Sequence, residues 1–163
     1  MSTDERIVVG VSGSASSAAA LRWAAAEARL RNAEVWAVHA WSSPMEKLAP
    51  YAPLSGVPSR DQQRQASGGL LSAAISHAFG PESNTVRPIL VEGHPVTVLL
   101  EYAAGAQLLV VGRRLRSGDF DDIAVGVVAR ACIASAQCPA VAVAAKAVDD
   151  TETSCAQRHM CVG

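Results

Sequence analysis

The sequence predicts an α/β protein: a single doubly wound parallel sheet of five strands with helices on both faces. Five short runs of valine, isoleucine, leucine and alanine recur along the chain, separated by longer stretches of helical character. Runs that are apolar on both faces suit the buried strands of a parallel sheet. Their alternation with helices indicates right-handed βαβ units, and 163 residues are enough for one domain with a sizeable core.

The strands follow from these apolar runs. They are predicted at Ile7–Val11, Glu34–Trp41, Thr85–Val91, Ala106–Gly112 and Pro139–Ala145. Residues 1–146 therefore form the predicted domain. Residues 147–163 carry no pattern and are predicted to be a disordered tail.

Four helices are predicted between the strands: one capped by Ser16 or Ser17, then about Ser59–Phe79, one beginning near Pro95, and Ile123–Ser135. A serine hydroxyl accepts a hydrogen bond from the free amides of a first helical turn, which favours a serine cap for the first helix. Asn32 is predicted to end that helix. Pro95 fits the first turn of the third helix because its missing N–H costs no hydrogen bond there.

Composition and charge exclude several classes of partner. The formal net charge is −1, which gives no electrostatic reason to expect nucleic acid or an anionic membrane as partner. The first ten residues are acidic and polar where a signal peptide needs a basic and then an apolar region. No apolar run approaches the roughly 20 residues of a transmembrane helix. The sequence therefore predicts a cytoplasmic protein.

The four cysteines lack the paired CxxC spacing of a structural zinc site. Cys155, His159 and Cys161 could together hold a metal ion, but they lie in the predicted tail, and such loose spacing is a weak signal. No metal site is therefore expected, other than magnesium carried by a nucleotide.

Two loops stand where a ligand would bind. In an open parallel sheet, ligands bind beyond the carboxyl ends of the strands at the point where strand order reverses, which selects loops 12–17 and 113–122. The second loop lies in the stretch GRRLRSGDFDDIAVGV at 112–127, which has the outline of a phosphate-binding loop. It carries three arginines and three aspartates, so the alternative is a set of ion pairs on a solvated surface.

The whole array resembles a universal stress protein domain over residues 5–145. The matching stretches are IVVGVSGSASSAAALRWA, HAW, VEGHP, LLVVGRR and CPAVAVAA, in this order and spacing. The resemblance implies the strand order 3-2-1-4-5 of the adenine nucleotide alpha hydrolase-like fold. It also implies a homodimer through Pro139–Ala145. In one branch of the family, ATP or a related adenine nucleotide sits at the ends of strands one and four.

The resemblance places such a nucleotide against twelve residues: Gly10, Val11, Ser12, Ala40, Val111, Gly112, Arg113, Arg114, Leu115, Gly126, Val127 and Val128. The nucleotide-binding branch has a Gly-x2-Gly-x9-Gly-Ser/Thr pattern after strand four. In this chain the first glycine is Gly112, and the last is met only at Gly126, one residue late.

Three further departures weaken the pattern. Leu115 replaces a glycine that would let the backbone approach phosphate oxygens closely. Val127 replaces a hydroxyl donor, and Ser12 replaces the aspartate usual after strand one. The arginines and the amino end of the fourth helix still favour an anion. ATP binding is therefore expected to be weak or lost, with AMP and cyclic AMP as the other candidate ligands.

Two hypotheses remain open at this point. The first is a stress-response module that binds an adenine nucleotide and acts on an unidentified protein partner. The second is a ligand-free dimeric module for protein interaction. The stretch VSGSASS also resembles the loop of ATP pyrophosphatases, which adenylate a substrate, but it lacks that loop's second glycine and its aspartate.

Catalytic residues are not evident, so the chain is predicted not to be an enzyme, although a low rate of ATP hydrolysis stays open. His39 lies inside a predicted strand and is interpreted as a packed core histidine. His94 begins the third helix and is interpreted as part of a turn. No serine has a visible histidine and aspartate partner.

Overall fold

The structure is a computed structural model that describes residues 5–43, 56–113 and 126–145, without the side chains of residues 82–84. Along these residues the strands are β1 Arg6–Gly10, β2 Glu34–Trp41, β3 Val86–Glu92, β4 Leu108–Arg113 and β5 Ala140–Ala144. The helices are α1 Ala15–Arg31, α2 Arg60–Phe79, α3 Pro95–Ala103 and α4 Val127–Ser135, with a short 3-10 helix at Gly80–Thr85. The predicted tail at 147–163 lies outside the described residues.

The sheet has the order β3-β2-β1-β4-β5, and every neighbouring pair is parallel. This confirms the predicted fold class and strand order. β1 is central, and Ile7, Val8 and Val9 are fully buried in it. A strand that is buried on both faces must be apolar at successive positions, which explains why β1 reads as a continuous run.

Successive residues of β1 serve two separate cores. Ile7 and Val9 pack with Leu21 of α1 and Leu71 of α2 on one face of the sheet. Val8 joins the opposite cluster, whose helical members come from α3 and α4: Val98, Leu99, Ala103, Ala129 and Cys132. The sheet is therefore sandwiched between two helical layers.

The amino edge of the sheet is closed by a cluster around Trp36. The guanidinium of Arg6 lies 4.8 Å from the Trp36 ring centroid, and that of Arg87 lies 5.0 Å from it. The Trp36 Nε1–H donates to Glu34 at 2.8 Å. Arg6 also donates to the carbonyl of Tyr102 in the last turn of α3. A cation next to carbonyl groups at a helix carboxyl end is favourable, so this cluster also ties α3 to the sheet.

Two predicted helix starts are wrong. α1 is capped by Ser14, whose Oγ accepts from the Ser17 amide at 3.2 Å, and Ser16 and Ser17 are buried inside the helix. α4 begins at Val127 rather than Ile123, since Gly126 has the extended ψ of 155° of a capping residue. The predicted end of α1 at Asn32 is confirmed by its left-handed φ of 52°.

α2 contains two adjacent glycines, Gly68 and Gly69. Ser59 and Gln62 form a capping box at its start, as serine and glutamine at this spacing favour. Its buried residues are Ser67, Leu71 and Ile75, so its first two turns contribute none. At Gly69 an added Cβ would meet nothing within 4 Å, so packing does not require glycine there.

Gly112, by contrast, is required by packing. A Cβ at this position would lie 2.7 Å from the carbonyl carbon of Ser16 and 2.8 Å from the amide nitrogen of Ser17. Real Cβ atoms do not come so close to backbone, so β4 can rest against the first turn of α1 only through a glycine.

The two glycines predict opposite responses to the same substitution. Gly112→Ala is expected to lower the free energy of unfolding by about 1–3 kcal/mol, the usual cost of overpacking. Gly69→Ala is expected to raise it by about 0.5–1 kcal/mol, because alanine loses less backbone entropy in a helix. Urea denaturation of both variants measures the difference, and a Gly112→Ala protein as stable as the wild type would contradict the close approach.

Candidate functional site

A cavity of about 220 Å³ opens at the carboxyl ends of β1, β2 and β4, beside the first turns of α3 and α4. Its lining is Gly10, Val11, Ser12, Val38, His39, Ala40, Pro95, Leu99, Val111, Gly112, Val128 and Ala129. The cavity lies between β1 and β4, where the chain order of the strands reverses. This is the place in the sheet where a ligand site is expected.

Seven of the twelve predicted site residues line this cavity: Gly10, Val11, Ser12, Ala40, Val111, Gly112 and Val128. Arg113, Gly126 and Val127 do not line it, and Arg114 and Leu115 lie outside the described residues. Val127 is 85% exposed, whereas the next residue lines the cavity. Of these two adjacent valines in the first turn of α4, Val128 therefore lines the cavity and Val127 does not.

Five lining residues were not predicted: Val38, His39, Pro95, Leu99 and Ala129. Two of them could have been found from their spacing in the sequence, because Pro95 and Leu99 are four residues apart and so share one face of α3. Leu99 also lies close to Gly10, where an added Cβ would come within 3.0 Å of its Cδ1. The site thus includes α3, which the loops alone did not indicate.

Ser12 and His39 are the polar side chains among these lining residues. His39 is half-buried, and its Nδ1 lies 2.7 Å from the carbonyl oxygen of Val11. It is therefore part of the cavity wall and not only a core histidine. His94, at the N-cap of α3, is exposed and makes no side-chain hydrogen bond to the helix.

The serines after β1 are bonded to one another. The Oγ atoms of Ser12 and Ser14 are 3.0 Å apart, and those of Ser14 and Ser16 are 3.1 Å apart. The Ser17 hydroxyl donates to the Ser14 carbonyl at 2.9 Å. Gly13 has a φ of 76°, which glycine adopts without steric cost. The first turn of α1 is thus organised by its own residues.

Arg113 ends β4 and is half-buried. Its Nε is buried and has no hydrogen-bond acceptor among the described residues. A buried donor without an acceptor costs about 1–3 kcal/mol, so this nitrogen favours any acceptor that reaches it.

A second cavity, of about 430 Å³, lies on the other side of Ser12, between α1 and α2. Leu70 and alanines of both helices contribute most of its wall. It has no residue from β4 or α4. Although it is larger, it does not join the two strand ends, so the first cavity is the better candidate site.

The described part of the chain contains no group of three or more histidine, cysteine or acidic side chains that could hold a metal ion. Cys155, His159 and Cys161 lie outside it. None of the helices described is both long and apolar enough to cross a membrane. Cys132 is fully buried, and this burial raises the pKa of its thiol.

Comparison with known proteins agrees with this architecture. The sequence model of the universal stress protein family matches residues 5–144. The chain belongs to the universal stress protein family.

Two universal stress proteins of Mycobacterium tuberculosis are similar to this domain. One is 34% identical over 138 residues, which is 83% of this chain and 42% of the relative. The other is 30% identical over 135 residues, which is 82% of this chain and 45% of the relative. This universal stress protein chain therefore spans less than half the length of the curated relatives it matches.

Solved structures of the family share the fold. A universal stress protein from Archaeoglobus fulgidus in complex with dAMP is 26% identical, with a TM-score of 0.58 over 85% of this chain and 96% of that one. A universal stress protein in complex with cAMP has a TM-score of 0.59 at 24% identity, over 86% of this chain and 97% of that one.

The hydroxyls of Ser12 and Ser14 are expected to contribute differently to the stability of this universal stress protein. Ser14→Ala removes the cap of α1 and is expected to lower the free energy of unfolding by about 1 kcal/mol. Ser12→Ala removes an exposed hydroxyl whose hydrogen-bond partner among the described residues is Ser14, so a change within about 0.5 kcal/mol is expected. Equal losses in chemical denaturation would show that Ser14 is not the cap.

Proposed function

We propose that this domain binds an adenine nucleotide with a single phosphate group, such as AMP or cyclic AMP, in the cavity at the ends of β1, β2 and β4. The observation that carries the proposal is the position of a largely apolar cavity at the strand reversal. The dAMP and cAMP complexes of family members support this choice of ligand class.

The size of the cavity favours enclosure of the base alone. Its 220 Å³ is below the range of about 300–1,000 Å³ that encloses a drug-sized ligand. Aliphatic side chains such as Leu99 and Val111 suit the faces of a flat ring. The sugar and phosphate would then extend outward past the ends of β4 and α4.

The phosphate would lie near the ends of β4 and α4. Arg113 offers a buried guanidinium nitrogen without an acceptor among the described residues, and guanidinium groups match phosphate oxygens well. Gly126 is the N-cap of α4 and has no side chain. No capping side chain therefore accepts hydrogen bonds from the amides of the first turn. Free amides at a helix amino end favour anions.

ATP is proposed to bind more weakly than a monophosphate. Val127 puts an exposed isopropyl group where the nucleotide-binding branch has a hydroxyl donor. Ser12 gives no carboxylate for a magnesium ion or a ribose. A triphosphate would therefore have fewer partners for its outer phosphates. Leu115 and Arg114, the other sequence features of this loop, lie outside the described residues.

We also propose that the site binds and does not catalyse. The two polar side chains of the cavity are engaged with neutral groups: His39 with a backbone carbonyl and Ser12 with another serine. A serine or histidine catalyst would need a partner that takes up or stabilises a proton.

A cavity-lining residue and an exposed residue give a test of the binding site. Val128→Trp is expected to fill the cavity and weaken AMP binding at least about tenfold, whereas Leu30→Trp, at an exposed position in the last turn of α1 and outside the cavity lining, should leave affinity unchanged. Isothermal titration with AMP, cyclic AMP, dAMP and ATP measures both effects.

Equal affinities of the two tryptophan variants would place the nucleotide elsewhere on the domain. Failure of the wild-type protein to bind any of the four nucleotides at millimolar concentration would favour the ligand-free interaction module instead.

The second candidate, a dimeric interaction module, is favoured by the β5 side of the sheet. Within the described residues β5 pairs only with β4, so its other edge has no partner strand. Ile133 on the neighbouring helix α4 is 44% exposed. Unpaired strand edges promote association, and a two-fold axis would let the same edge serve both chains. We therefore propose a homodimer through Pro139–Ala145, which is compatible with nucleotide binding.

Ile133→Lys tests this dimer without damaging the core. Val141 and Val143 pack against the cluster formed with α1, so lysine at either would also destabilise the fold. We expect Ile133→Lys to weaken the dimer about tenfold or more in sedimentation equilibrium, because an unpaired charge would be buried. The control is Leu70→Lys on α2, where Leu70 is 37% exposed. This helix packs over β2 and β3, which lie on the other side of the sheet from β5. A monomeric wild type at tens of micromolar, or equal effects of both variants, would contradict the proposed interface.

A further inference from the structure

His39 joins β2 to the turn that follows β1. Its Nδ1 lies 2.7 Å from the carbonyl oxygen of Val11, a residue 28 positions earlier in the chain. The amide of Val11 donates to the carbonyl of Val38 at 2.9 Å. Both backbone polar groups of Val11 are therefore held by adjacent residues of β2, one through the main chain and the other through an imidazole ring.

The contact with the Val11 carbonyl determines which ring nitrogen of His39 carries the proton. A carbonyl oxygen only accepts hydrogen bonds, so Nδ1 must carry the proton that it donates to Val11. In the neutral ring Nε2 is then left as an acceptor. His39 is also the one titratable side chain among the described residues that line the cavity.

Holding this carbonyl has a consequence for the next residue. The peptide group is planar, so the direction of the Val11 C=O also fixes the direction of the Ser12 N–H. Immediately afterwards the backbone turns through Gly13, with its φ of 76°, into the cap of α1 at Ser14. The Val11–Ser12 peptide therefore lies between the end of β1 and this turn, and both of its residues line the cavity.

We propose that His39 is a positioning residue of the nucleotide cavity: the Nδ1–H bond to Val11 orients the Val11–Ser12 peptide group that the ligand meets. This inference rests on the proposed function for its ligand measurement. In this role His39 needs a hydrogen-bond donor at Nδ1. A side chain of similar size that only packs against its neighbours would not supply that donor.

Three substitutions separate this task from packing. In His39→Asn the side-chain amide nitrogen is three bonds from Cα, as Nδ1 is, so it can still donate to Val11. In His39→Gln the nitrogen is four bonds away, as Nε2 is, and His39→Ala removes the donor. His94→Ala is the control, because His94 is exposed and outside the cavity lining.

Titration with AMP gives the first measurement. His39→Asn is expected to bind within about twofold of the wild type, and His39→Gln and His39→Ala about five- to tenfold more weakly, the range of one neutral hydrogen bond. His94→Ala should bind as the wild type does. If His39→Asn is as weak as His39→Ala, or if all three variants keep full affinity, the inference is overturned.

Nitrogen-15 NMR of the ligand-free protein gives the second measurement. The wild-type ring should show the tautomer protonated at Nδ1, and the Ser12 amide resonance should shift in the glutamine and alanine variants and return in the asparagine variant. A ring protonated only at Nε2 would overturn the inference even if no variant folded. A wild type that binds no nucleotide but shows the expected ring and amide signals would refute the proposed function while leaving the positioning of the peptide group confirmed.

Discussion

The approach of β4 to the first turn of α1 is the constraint on which the candidate site depends. Because Gly112 has no side chain, the strand backbone can lie against Ser16 and Ser17. This contact brings the end of β4 next to the turn that leaves β1. The cavity between the two strand ends exists because these segments are held side by side. A larger residue at 112 would push apart the two walls that the ligand is proposed to bridge.

The amino and carboxyl ends of the sheet differ in the side chains that occupy them. At the amino edge, the guanidinium groups of Arg6 and Arg87 lie over the ring of Trp36, and Arg6 donates to the Tyr102 carbonyl at the end of α3. Side chains of the protein itself therefore fill this end of the sheet. At the carboxyl ends of the strands, small residues line the cavity: Gly10, Ser12, Ala40 and Gly112. These small residues leave the space in which the ligand is proposed to bind.

The strands and their order were predictable because burial on both faces forces continuous apolar runs, as in β1. The cap of α1 was not, since the stretch SGSASS has four hydroxyls that are chemically equal and only the backbone turn at Gly13 selects Ser14. The start of α4 was predicted at Ile123, where an apolar run begins, whereas the helix begins at Val127 after its N-cap Gly126. His39 was assigned to the core because its partner, a backbone carbonyl 28 residues away, has no sequence signature.

The burial pattern of α2 divides that helix into parts of different stability. From Ser67 onward the helix buries side chains against α1 and the sheet, whereas the seven residues before it bury none. The early turns are held by the capping box and by the ion pair of Arg60 with Glu92. Surface ion pairs and caps contribute about 1 kcal/mol each, far less than a packed core. The amino-terminal third of α2 can therefore unfold locally while the sheet stays intact, and a protease or a partner protein would find an accessible peptide there before anywhere in the core.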